Sequence, residues 1–251
     1  MTKTCNEPDY DAVEAAYAEQ MAGYSPLSMT PQEYRGLYGE VAGTDCYGFR
    51  DLTFVPDVIL DVGANVGIFS RFARELFPLA HIVAVEPDQV NCDNFIRLTP
   101  LLDNVMLLRK AIGSGQMWKS RTHRNGAMVT YLCETLGFGR EGLLDEERFE
   151  LSDVEAVSFA SLCAEYVPAG KRCAAKIDCE GAENALIQDA DSLAALSRLE
   201  YFAIEMHYYG DDADQGRVVR AVTEEALRRL SETHVLVLNH QTQVLQATRK
   251  E

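Results

Sequence analysis

The sequence predicts an α/β fold, with a mostly parallel sheet covered by helices on both faces and closed at its end by an antiparallel hairpin. Three observations lead there. From Val58 onward, short apolar runs alternate with helical patterns, as strands and crossover helices do in a parallel sheet. The first run, Val58–Val62, is closed by a glycine turn, Gly63-Ala64-Asn65-Val66-Gly67, that opens a helix. The last two runs, His234–Leu238 and Val244–Thr248, are separated by five residues. That gap cannot hold a crossover helix, so this pair is antiparallel.

The elements follow in order. Asp9 to Met21 reads as a helix, with Val13, Ala16, Tyr17 and Met21 at helical spacing. A stretch rich in Gly, Pro and Tyr follows, to about Phe54. Residues 1–54 therefore read as an N-terminal helical cap that lines a pocket or packs on the main domain, which is expected over 55–251. There, strands are expected at Val58–Val62, His81–Glu86, Val105–Leu108 (extending towards Gly113), Ala174–Asp178 and Tyr201–Glu205. The hairpin brings the number to seven. Helices are expected at Val66–Phe77, with Pro78 helping to stop it, at Gln89–Leu98 and at Val218–Ser231. Residues 114–158 break the alternation and read as an insertion. Within it, Trp118–Leu132 suits extra strands, and Glu134–Asp153, rich in Gly and acids, suits a mobile segment or lid.

Composition narrows the function. The 251 residues are 47% hydrophobic, enough for one large core, and carry a net charge of −16. That field repels phosphate backbones and anionic lipid heads, so neither nucleic acid nor a membrane is the expected partner. The basic stretch Lys119–Arg124 reads as a solvated loop. No apolar run approaches the roughly 20 residues that span a bilayer, and the N-terminus lacks a signal-peptide core. A cytoplasmic location is expected. The seven cysteines are odd in number and show no C-x-x-C spacing. Reduced thiols fit that pattern better than disulfides or structural zinc.

The glycine turn after Val62 frees N–H groups at a helix start and suits an anionic ligand end. Glu86 ends the second strand, where an acid can accept ribose hydroxyls. A dinucleotide turn usually reads G-x-G-x-x-G, but here Asn65 stands at the middle glycine. The substitution crowds a pyrophosphate and suits S-adenosylmethionine (SAM), which has a ribose and an adenine but no phosphate. Asp61, Ala64, Asn65 and the backbone of Gly63 and Gly67 would face its amino-acid end.

The stretch AAKIDCEGAENAL, Ala174–Leu186, ends a buried strand in a cluster of charge: Lys176, Asp178, Glu180 and Glu183 around Gly181. With ILDVGANVGIFS, VAVEPDQVNCDNF, NVMLLRKAIG and YFAIEMHYY, it stands in the order and rough spacing of the FkbM-type SAM-dependent methyltransferases, which the sequence resembles over about Val58–Tyr208. The resemblance implies the class I methyltransferase (Rossmann-like) fold, a seven-stranded sheet with the C-terminal hairpin already noted, and usually O-methylation of a small molecule such as a polyketide or sugar hydroxyl. It implies that Gly63, Asn65 and Gly67 contact the methionine part of SAM and that Glu86 holds the ribose. Asp88, Ala111 and Ile112 would lie near the adenine, and Asp178 beside the reacting centre. Cys179 departs from the apolar β-branched residue more usual there.

Methyl transfer to a hydroxyl needs a positioned base or a metal to take the proton. His207, just past the strand Tyr201–Glu205, is the expected base; Asp178 and Glu180 complete the catalytic set. No metal is expected. If a divalent ion such as Mg²⁺ takes part, Asp178, Glu205 and His207 are the expected ligands. The expected partner is a small hydroxylated acceptor, with a homo-oligomer left open. N-methylation of a small amine or peptide is the alternative, ahead of an NAD(P)-dependent oxidoreductase and of a non-catalytic SAM-binding protein.

Overall fold

The computed structural model describes residues 8–25, 27, 29–99, 103–113, 116–120, 128–129, 149–207 and 213–250. Twelve strands appear among them. Seven form the main sheet: β1 (Val58–Val62), β2 (His81–Val85), β3 (Val105–Leu108), β9 (Cys173–Ile177), β10 (Tyr201–Glu205), β11 (His234–Asn239) and β12 (Val244–Arg249), in the order β3-β2-β1-β9-β10-β12-β11. All five residues of β1 and of β9 are buried, as strands covered on both faces require.

β1 pairs in parallel with both β2 and β9, and Val62 stands opposite Val85 on one side and Ile177 on the other. The three strands therefore end flush, and Gly63, Glu86 and Asp178 emerge side by side at one edge. β12 slots between β10 and β11, antiparallel to both. The hairpin expected from its short connection is present.

Helices connect the strands. They are α1 (Tyr10–Gln20), α2 (Pro31–Tyr38), α3 (Ile68–Leu76), α4 (Gln89–Leu98), α5 (Phe159–Tyr166), α6 (Glu183–Gln188), α7 (Ala190–Leu196) and α8 (Ala213–Thr233). Side-chain caps fix their starts: Asp9, Asp88, Ser158 and Asp189 each accept an N–H of the first turn. Thr30 and Glu33 form a reciprocal capping box ahead of Pro31. α3 starts later than the expected Val66 because Gly67, at φ +87°, is still part of the turn. α8 is longer than the expected 218–231. Helices α2, α5 and α7 were not anticipated, being short and set by caps rather than by long apolar periodicity.

Beyond β3 the chain does not extend as one strand: Ala111–Ile112 form β4, which pairs in parallel with β8 (Ala156–Val157). Within the insertion, β5 (Gln116–Ser120) pairs antiparallel with β6 (Met128–Val129) and with β7 (Phe149–Asp153). The expected lid is thus partly a strand, and its residues 134–148 lie outside the described residues, as do Arg121–Arg124 of the basic stretch.

The alternation within β1 divides the core. Val58, Leu60 and Val62 face one apolar cluster, which holds Phe159, Leu162, Leu186, Leu196 and Leu230 from the helices on that side. Ile59 faces the other, built with Phe69 and Phe72 of α3 and with Tyr17, Met21, Tyr34, Tyr47 and Phe49 of the first 54 residues. The N-terminal segment thus fills a face of the sheet and shares its core. Fully burying a side chain such as Phe49 contributes about 1.5–3 kcal/mol. Backbone carbonyls help seat the segment on the sheet: Tyr201 Oη donates to that of Tyr47 at 2.6 Å, and Gln246 Nε2 to that of Cys46 at 3.3 Å. Among the described residues no helix is long and apolar enough to cross a membrane.

Candidate active site

The turn after β1 is built from three residues in left-handed backbone, Gly63 (φ +73°), Asn65 (φ +50°) and Gly67 (φ +87°). The chain itself demands two of them. A Cβ on Gly63 would lie 1.7 Å from the Asp178 carbonyl oxygen, and one on Gly67 would lie 2.7 Å from the Phe95 ring. Both glycines thus permit close approach by the protein's own neighbours. Ala64 is buried against Ala84 and Phe95.

Glu86 turns back onto this loop. Its carboxylate accepts Asn65 N at 2.8 Å, Asp88 N at 3.0 Å and Asn91 Nδ2 at 3.1 Å. Burial pushes its pKa up to about 7, against the pull of those hydrogen bonds. An ionised carboxylate has about four acceptor positions, so three are taken. Asp88 caps α4 through Asn91 N. Ala111 and Ile112 are buried in β4, Ile112 in the cluster that also holds Val62 and Val85. Asp61 is fully buried, accepting from Ser70 Oγ at 2.6 Å.

Lys176 joins the two strand ends. Its Nζ donates to the Gly63 carbonyl at 2.6 Å and lies 3.6 Å from Asp61 Oδ1 and 3.5 Å from Asp178 Oδ2. Burial alone would lower its pKa; Asp178, Asp61 and Glu205 outweigh that and hold it above the usual lysine value. A charged lysine is thus sealed beneath the turn.

His207 follows β10 and is held at three points. Glu183 Oε1 accepts its backbone N–H at 2.8 Å and lies 3.1 Å from ring Nδ1, while Asn184 Nδ2 donates to its carbonyl at 3.0 Å. Glu183 is fully buried at the start of α6 and also accepts from Gly181 N. With Nδ1 so engaged, Nε2 faces Glu205 Oε1 at 3.6 Å, Glu180 Oε2 at 3.7 Å and Asp178 Oδ1 at 3.9 Å. Burial works against the charged ring, but the Glu183 hydrogen bond and the surrounding carboxylates prevail and raise its pKa to about 9. The structure therefore brings together His207, Asp178 and Glu180, three residues singled out from sequence, with Glu205 beside them.

Tyr47 also reaches this cluster. Its hydroxyl lies 2.9 Å from Asp178 Oδ2 and 3.1 Å from Glu205 Oε2. Sequence reasoning noted the tyrosines of the N-terminal segment only collectively. It places Glu183 only in the charged cluster around Gly181 and misses its hold on His207; the signal is its spacing behind Asp178 and Glu180. Among the described residues, one group places metal-ligand atoms within 4.8 Å of one another: Asp178, Glu180 and His207. Glu180 thus stands where the expected ligand set had Glu205.

A family model described as the methyltransferase FkbM domain matches residues 61–233. The chain belongs to the FkbM methyltransferase family. It is a SAM-dependent methyltransferase. Methyltransferase sdnD of Sordaria araneosa is 29% identical over 181 residues, 63% of this chain and 70% of that protein. The AMB antimetabolite synthetase AmbE of Pseudomonas aeruginosa is 39% identical over 62 residues, 24% of this chain but only 3% of that protein. The S-adenosylhomocysteine-bound methyltransferase PaMTH1 of Podospora anserina aligns with a TM-score of 0.44 at 9% identity, covering 97% of this chain and 89% of that one.

Proposed function

We propose that this FkbM methyltransferase transfers a methyl group to a hydroxyl of a small molecule, a natural product of polyketide-like or sugar-bearing type. The observation that carries the reading is the oriented imidazole: Glu183 engages Nδ1 of His207 and leaves Nε2 facing the edge where β1, β9 and β10 end. A neutral amine needs no base, whereas a hydroxyl does, so such a device favours an oxygen acceptor.

The cofactor fits the turn. Asn65 Oδ1 is a buried acceptor without a hydrogen-bond partner among the described residues, suited to an ammonium N–H, and the N–H groups opening α3 suit a carboxylate. Asn65 and the backbone of Gly63, Ala64 and Gly67 would hold the amino-acid end. Glu86, with one acceptor position left, would take a ribose hydroxyl. Asp88, Ala111 and Ile112 would stand on the adenine side. Asp61 acts from beneath, through Lys176 and Ser70. Bound there, SAM supplies an electrophilic methyl carbon.

His207 Nε2 accepts the acceptor's proton. The imidazolium so formed is stabilised by Glu205, Glu180 and Asp178 at 3.6–3.9 Å. Glu180, whose side chain is 43% exposed, is placed to meet the acceptor, and Asp178 stands between acceptor and cofactor. Lys176 already offsets part of the carboxylate charge, so the reading needs no metal. The first 54 residues would form the substrate-side wall.

A two-stage experiment tests this. Thermal shifts with SAM, S-adenosylhomocysteine, NAD and NADP come first, with stabilisation by the first two expected. A screen of hydroxylated and amine acceptors with methyl-labelled SAM follows. Label found on nitrogen, or stabilisation by a nicotinamide cofactor alone, overturns the reading.

A further inference from the structure

Tyr47 belongs to the N-terminal segment, yet it is 3% exposed and ends in the charged cluster between β9 and β10. Its place is over-determined. The ring packs edge-on against Phe69, with centroids 5.8 Å apart, and lies 5.6 Å from Lys176 Nζ. Its carbonyl is held by the Tyr201 hydroxyl. The next residue, Gly48, has no room for a Cβ, which would come within 2.8 Å of Gln246 Nε2 and of Tyr201 Oη. So much fixation around a side chain that sets one hydroxyl among carboxylates points to a role beyond packing.

The atoms it touches define that role. Tyr47 Oη meets Oδ2 of Asp178 and Oε2 of Glu205. The opposite oxygens of the same two carboxylates, Oδ1 and Oε1, are the ones that face His207 Nε2. A carboxylate held by one oxygen has its plane and second oxygen fixed as well. We propose that Tyr47 is a positioning residue of the methyl-transfer site: its one hydroxyl hydrogen, shared between Asp178 and Glu205, draws the two carboxylates together so that their second oxygens stand against the His207 imidazole. The N-terminal segment is then part of the reacting centre as well as of the pocket wall. Burial first, and then Asp178 and Glu205, hold the phenol well above its ordinary pKa, so it remains a donor.

This inference rests on the reading of His207 as the proton acceptor, and its deciding measurement, the His207 titration, needs neither acceptor nor cofactor. Tyr47→Phe keeps the buried ring and removes the clamp. In the full chain the His207 ring is titrated by NMR, with His207→Gln to assign its signal. The expected result is a His207 pKa lower by about one unit in Tyr47→Phe, with SAM affinity within twofold of wild type. With an acceptor from the screen, kcat falls about tenfold while KM for SAM holds. An unchanged His207 titration in Tyr47→Phe overturns the inference, because a merely structural tyrosine is satisfied by the phenyl ring. Should Tyr47→Phe be too unstable to titrate, the measurement is made in sucrose, which strengthens the folded state, and an unchanged His207 titration there overturns the inference equally. Failure to bind SAM sinks the proposed function and leaves the clamp untouched.

Discussion

One oxygen of Glu183 receives two N–H groups of His207, the backbone N–H at 2.8 Å and ring Nδ1 at 3.1 Å. The carboxylate thus selects the tautomer that carries hydrogen on Nδ1, and Nε2 is left to face the site. In the proposed mechanism such a hold is worth more than one hydrogen bond, because it keeps the ring hydrogen off Nε2.

Glu183→Gln tests the charge of that hold. Ring Nδ1 and the backbone N–H of His207 share Oε1, so a glutamine oxygen there keeps both, and the tautomer with them, but carries no charge to stabilise the imidazolium. We expect the pH at which log kcat levels off to move down by about one unit, with SAM affinity held within a few-fold. Steady-state kinetics across pH alongside calorimetry with S-adenosylhomocysteine separate the two. A plateau that stays near 9 would show that Glu183 does not set the basicity of His207.

The raised pKa of His207 fixes the sign of two pH effects. As the proton acceptor it works only deprotonated, so in chelator-treated enzyme log kcat should rise with pH and level off near 9. For stability, the folded ring holds its proton to about pH 9, against 6.5 ordinarily. The native state therefore binds the extra proton, and stability falls as pH rises between those values. The contribution is complete below pH 6.5, lost as pH passes 9, and worth about 3 kcal/mol at most. Glu86 and Glu205, both raised to about 7 chiefly by burial, act with the same sign from their ordinary 4.5 upward. Urea midpoints of wild type and His207→Gln across pH 6–10 isolate the histidine: the two curves should converge as pH rises. Parallel curves would contradict the assigned shift.

The sheet was legible because strands buried on both faces leave continuous apolar runs, and a five-residue gap admits only a hairpin. The edge residues Asp178, Glu180 and His207 were legible because charge at the end of a buried strand is conspicuous. Two kinds of feature escaped. Short helices such as α2 and α7 are fixed by caps and by tertiary packing, which periodicity does not register. Tyr47 meets Asp178 across 131 residues of sequence, and nothing local marks a tyrosine whose hydroxyl serves a distant strand. The glycine turn was found for an incomplete reason: Gly63 and Gly67 are required first by Asp178 and Phe95.

Metal dependence is the third test. Lys176 already offsets charge at the carboxylates, so turnover should survive EDTA within twofold. If activity falls and Mg²⁺ or Mn²⁺ restores it, Asp178, Glu180 and His207 are the ligands to substitute, since their donor atoms lie within 4.8 Å of one another. That outcome would replace the histidine base with a metal-activated hydroxyl.

The two glycines of the turn should differ sharply on substitution by alanine. Both require left-handed backbone, which costs a non-glycine residue about 1 kcal/mol or more. At Gly63 the added Cβ would also lie 1.7 Å from the Asp178 carbonyl oxygen. That atom is backbone, and the adjoining Asp178 N donates to the Val62 carbonyl at 3.0 Å, so relief means parting β1 from β9. At Gly67 the obstacle is the Phe95 ring at 2.7 Å, a side chain that can rotate or shift within α4. Gly63→Ala should therefore lose about 3 kcal/mol or more of unfolding free energy and SAM binding with it. Gly67→Ala should lose about 1–2 kcal/mol and still bind SAM, more weakly. Urea unfolding and thermal shifts with SAM check both. Equal losses at the two positions would mean that the β1–β9 contact does not decide the cost.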